Sequence, residues 1–130
     1  MSGLLSGIID RKSKFEAQLW SEIIGRAHDG ETSYKSYYYD KIIAEDDKQQ
    51  VRNTLLEMLK SNRYSLPQKG LIAYVCADIG VSDALLDVNK LRLEAKRPSF
   101  ENQMLSLAHE ALLRGISVRE LVYENHGSKP

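Results

Sequence analysis

The sequence predicts an all-α protein, an irregular bundle of five or six helices that ends in a helix-glycine-helix corner. Three observations lead there. Apolar residues recur at three- and four-residue spacing along most of the 130 residues. Serine, proline and glycine stand where those runs begin and end. Only residues 33–43 carry the β-branched and aromatic content of a short strand, and even there Tyr34, Tyr37, Tyr38 and Ile42 also form a helical stripe.

From Gly3 to His28 the apolar residues Leu4, Leu5, Ile8, Ile9, Phe15, Leu19, Trp20, Ile23, Ile24 and Ala27 make one helical ridge, closed by Asp29-Gly30. Gly7 weakens its first turns by about 1 kcal/mol relative to alanine. Beyond residues 33–43, Asp46 and Asp47 open a helix whose apolar face is Val51, Leu55, Leu56, Met58 and Leu59, with Lys60 near a C-terminus expected at Asn62. Arg63 to Pro67 is expected to be extended or turning, because proline disfavours helical geometry at the preceding Leu66. After Gly70, the run Leu71 to Ile79 is almost wholly apolar, as in a helix at the centre of a bundle. Gly80 breaks it, Ser82 is placed to cap the next helix, and Val81 to staple onto Leu86. Leu85, Leu86, Leu91 and Leu93 are expected to carry that helix into the core.

The C-terminal corner has the most consistent local signals. Ser99 follows Pro98 as an N-cap; Phe100, Met104, Leu107, Ala108 and Ala111 repeat at helical spacing, widened by Leu105 and Leu112; Gly115 stands where a positive φ is wanted. Ser117 and Glu120 then form a capping-box pattern for a second helix, with Ile116 placed to staple onto Leu121.

Composition narrows the function classes. Apolar residues at 42% and charged residues at 28% are ordinary globular usage, and 130 residues suffice for one helical domain, 1–130. Lys plus Arg balances Asp plus Glu at 18 each, so net charge gives no argument for nucleic acid. Cys76 is the sole cysteine, which excludes an intramolecular disulfide and a multi-thiolate zinc site and points to a reducing compartment. With neither a secretory leader pattern nor an apolar run of membrane-spanning length, the expected location is cytoplasmic, with no membrane partner.

Catalytic patterns are scarce. There is no glycine-rich phosphate loop, nucleophile elbow or paired-carboxylate motif. His28, Asp29 and Glu31 do not share a helix face, and adjacent His109 and Glu110 diverge by about 100°, so no metal and no cofactor is expected. Cys76, inside an apolar run, reads as a small core residue.

Two stretches resemble a helix-turn-helix DNA reader. In Ile72 to Leu91, Gly80 and Val81 mark the turn, Val75 and Ile79 support it, Cys76 takes the small-residue place and Leu86 a buried recognition-helix place. Asn89 departs from the motif, and Asp83 and Asp87 would face phosphates. In the second, Ala111, Gly115, Ile116 and Leu121 fit, while Arg114 and Glu124 occupy core places. Lys90 to Leu93 as a strand, followed by the Ser99 and Ser117 helices, resembles a ribbon-helix-helix regulator. These resemblances imply nucleic acid as an alternative partner, held by Arg92, Lys96, Arg97 and Arg119. Arg119 and His126, seven apart, are similar to the Arg-x4-6-His motif of HEPN-type ribonucleases, which implies acid-base catalysis by His126 with Arg119 on phosphate.

The reading preferred over these is a non-enzymatic interaction module: a small subunit, adaptor, immunity-type inhibitor or regulatory subunit whose partner is a protein, itself or another. Its candidate contact residues are Tyr34, Tyr37, Tyr38 and Tyr39, four tyrosines in six positions, together with Leu4 and Leu5 at the apolar amino-terminal end.

Overall fold

In the computed structural model, residues 14–29, 39, 45–118 and 120–122 are described. Leu4, Leu5, Tyr34, Tyr37, Tyr38, Arg119 and His126 lie outside them, as does the 33–43 segment apart from Tyr39. Among the described residues helix makes up 83%, in six helices, and there is no strand. The protein is all-α. None of the described helices is long and apolar enough to cross a membrane. By contacts the chain divides into two compact units, Met1–Glu45 and Asp46–Pro130.

In the first unit, residues 14–28 form α1. Leu19, Ile23 and Ile24 on its apolar ridge are buried. Arg26 lies 3.5 Å from Glu22, one turn back on a wetter face. The helix stops at His28, as the Asp29-Gly30 pair predicts. Its middle departs from the α pattern: Trp20–Ile24 winds as a π turn, and the Gly25 N–H reaches back to the Trp20 carbonyl. Side-chain periodicity cannot foresee that extra residue in the turn.

The second unit begins in α2, Glu45–Lys60. Val51, Leu55, Met58 and Leu59 are buried at the four-, three- and one-residue steps of one helical stripe. Next, α3 spans Leu66–Ile79, starting earlier than expected. Ser65 is its N-cap, its hydroxyl accepting the Gln68 N–H while the Gln68 side chain accepts the Ser65 N–H. Pro67 therefore sits inside the helix and not before it, because a first-turn residue has no intrahelical use for the N–H that proline lacks. Gly70, which precedes the apolar run, is itself a buried helix residue. Ile72, Ala73, Val75, Cys76, Ala77 and Ile79 are buried on nearly all sides of α3, which makes it the central helix.

α3 ends at Gly80, whose φ of 78° is left-handed. A 3₁₀ turn, Ser82–Ala84, leads into α4, Leu85–Glu94. Here the expected core face is corrected. The residues turned inward are Ala84, Val88, Leu91 and Ala95, whereas Leu86 is 82% and Leu93 69% exposed. Ser82 makes no side-chain cap, and Val81 is buried without a staple to the outward Leu86. The 3₁₀ turn shifts the phase at which α4 starts, and two alanines fill inward places that a reading by size gives to leucine. This also removes the buried Leu86 that the helix-turn-helix resemblance requires. Residues 90–93, a strand in the ribbon-helix-helix resemblance, are helical.

The helix α5, Phe100–Arg114, packs mainly along α3 and also along α4. Its start is the predicted one, with Ser99 Oγ accepting the Asn102 N–H at 3.0 Å. Leu105, Ala108 and Ala111 are buried, while Phe100, expected in the seam, is 45% exposed. Gly115 closes α5 at φ 69°, the left-handed value expected there. α6 begins at Val118, and its capping box forms as read: Ser117 Oγ accepts the Glu120 N–H at 3.1 Å, and the Glu120 carboxylate accepts the Ser117 N–H at 3.4 Å. Val118 and Leu121 are buried. A further bond holds this corner from afar, since the Val118 N–H donates to Asp78 Oδ1 on α3 at 2.8 Å.

Candidate functional site

α4 turns its two largest apolar side chains to water. Leu86 and Leu93 are seven residues apart, hence two turns and roughly 10 Å along one face. Lys90 lies between them on that face and is also exposed. Single exposed leucines are ordinary, but two on one face of a helix that also buries Val88 and Leu91 make a stripe. Polar groups frame it. Asp83 stands exposed at the start, Glu94 at the end, and Lys96 and Arg97 on the bend that follows. Asp87, half-buried on the flank, lies 3.8 Å from Lys60 of α2.

The opposite flank of α4 meets α5 through polar groups. Arg92 Nη2 donates to Asn89 Oδ1 at 2.6 Å, and Asn102 of α5 donates to the Arg92 carbonyl at 3.4 Å. Arg92 Nε is buried with no hydrogen-bond acceptor among the described residues. His109 of α5 has its pKa lowered by partial burial and by the Arg92 charge, against a smaller opposing pull from Glu110. Arg92 is therefore a half-buried part of the α4–α5 seam, while Lys96 and Arg97 alone of the described nucleic-acid candidates stand free of the body. Nearby, Pro98, Ser99, Asn102, Gln103, Ser106, Leu107 and Glu110 line a shallow, open groove of about 410 Å³. It follows one face of α5 and gathers no catalytic constellation.

The remaining candidates can be placed individually. Tyr39 is buried, with 5% exposure, so its ring does not belong to a free contact face. No three His, Cys, Asp or Glu side chains come together as metal ligands among the described residues. Cys76 is fully buried, and desolvation pushes its thiol up to about 12. We expect no labelling of Cys76 by a water-soluble disulfide reagent at pH 8 over hours in the native protein, and one thiol per chain once guanidinium unfolds it. Rapid native labelling would place α3 outside the core.

Sequence reasoning missed the α4 stripe because it assigned Leu86 and Leu93 inward. A signal existed: Ala84, Val88, Leu91 and Ala95 form a complete inward row at steps of four, three and four. No family model, curated protein or solved structure matches this chain.

Proposed function

We propose that this chain is a non-enzymatic protein-interaction module, a small subunit, adaptor, immunity-type inhibitor or regulator, that docks through the outward face of α4. The observation that carries the reading is the pair Leu86 and Leu93, left in water on one face of an otherwise amphipathic helix. Transferring a leucine side chain from water to an apolar contact is worth about 1.5 to 3 kcal/mol, so a partner that covers both gains substantially. The charged frame of Asp83, Glu94, Lys96 and Arg97 supplies the polar rim that accompanies such a core.

A photo-crosslinking residue tests this in the producing cell. Placed at position 86 it should give a discrete protein adduct on irradiation, lost when Leu93→Glu is added. Placed at exposed Gln50 on α2 it should give none. Equal labelling from both positions, or no adduct from position 86, overturns the reading.

A further inference from the structure

The seam between α4 and α5 holds a positive charge that no carboxylate neutralises among the described residues. Arg92 is half-buried there, its Nε is buried without an acceptor, and its Nη2 donates to the Asn89 amide. Register places an imidazole beside it. Asn102, near the start of α5, donates to the Arg92 carbonyl near the end of α4, and α5 packs along α4, so the two helices run antiparallel about the bend at 95–99. A helical side chain leans toward its own N-terminus, as the Arg92 bond back to Asn89 shows, and along an antiparallel partner that direction is C-terminal. Seven residues C-terminal to Asn102, on the same face of α5, stands half-buried His109.

We propose that this seam is a pH-sensitive joint: with His109 neutral, α4 lies closed on α5, and a proton on His109 sets two cations against each other across the seam and loosens it. The imidazole already responds to its neighbour. Partial burial and the Arg92 charge lower its pKa, against a smaller pull from exposed Glu110 on its own helix. Other charges are placed or engaged elsewhere. On α4, Asp87 is drawn to Lys60 of α2, while Lys90 and Glu94 are exposed to water. On α3, Lys69 lies level with the start of α5, where Gly70 meets Glu101 and Met104, and Asp78 accepts the Val118 N–H at the far end. Because the folded protein holds the His109 proton less firmly than the unfolded chain does, protonation favours opening. The seam is fully closed above the ordinary imidazole value of 6.5 and weakens as pH falls through it.

Amide hydrogen exchange of the full chain, followed by NMR at about pH 7.5 and about pH 5.5 and corrected for the intrinsic rates, tests this. In the parent, the α4 amides should open more readily at the lower pH, and by a larger factor than the α2 amides. His109→Gln, which keeps a polar side chain at a half-buried site, should abolish that difference while leaving the spectrum otherwise native. The imidazole titration itself supplies a second measurement. The His109 midpoint should lie below the ordinary value in the parent and move up toward it in Arg92→Gln, a shift that loss of packing alone does not produce, since the imidazole stays partly buried. Opening of α4 that follows α2 at both pH values, a His109→Gln chain that keeps the pH response, or a His109 midpoint unmoved by Arg92→Gln would each overturn the proposal.

Discussion

Leu105→Ala is expected to lower the stability of the second unit by about 3 to 5 kcal/mol, the upper part of the range for leucine truncations in cores. Leu105 is fully buried on α5, which packs mainly along α3. Neighbouring inward positions on α5 are already alanine, Ala108 and Ala111, so α5 offers no long side chain on that row to swing into the vacated space. The cost therefore combines lost transfer energy with a cavity that persists. Against the roughly 5 to 15 kcal/mol that holds a domain folded, this is a large share. In a urea titration followed by circular dichroism, a slope near 1 to 1.5 kcal/mol/M converts the loss into a midpoint about 2 M or more lower. A loss under about 1 kcal/mol would mean that α5 does not pack on α3 through this residue.

The second large effect is expected at Gly70, through proximity. A Cβ built there would stand 3.2 Å from Met104 Cβ and 3.5 Å from Glu101 Cα, with the Glu101 carbonyl oxygen at 3.6 Å. These are the first two turns of α5, and two of the three atoms are backbone. Alanine meets the Met104 contact but gains about 1 kcal/mol of helix propensity, so Gly70→Ala should fall near neutral. Gly70→Val has no such offset. Its two methyl groups must enter the space held by the α5 backbone, and the helices must separate, at about 2 to 4 kcal/mol including lost contacts along the seam. The comparison between the two variants, by the same titration, is the decisive measurement. Valine tolerated as well as alanine would show that the α3–α5 crossing is looser than drawn.

These two sites show what a sequence does and does not disclose. Ser99, Gly115, Ser117 and Glu120 were legible because capping is local chemistry between residues a few positions apart. The Ser65 to Gln68 box was equally local, yet Pro67 obscured it, since the bar on proline in helices lapses in the first turn. Nothing local marks Gly70, and only the neighbouring helix reveals it as a point of close approach. The face of α4 was misjudged for a related reason. Residue size suggested leucines inward, whereas the phase set by the Ser82–Ala84 turn put alanines there and leucines out. The candidate site was thus hidden by the same misjudgement, and the tyrosine segment that drew attention yields one described residue, Tyr39, which is buried.

The bond from the Val118 N–H to Asp78 joins positions 40 apart, and α4 and α5 lie wholly within that interval. It is the clasp of a ring. Parting α4 from α5, or lifting α5 off α3, strains or opens the ring, so that one amide proton is held back from solvent by the cohesion of three helices at once. Its exchange rate gauges whether the whole loop of structure is shut, read from a single atom near the far end of the chain.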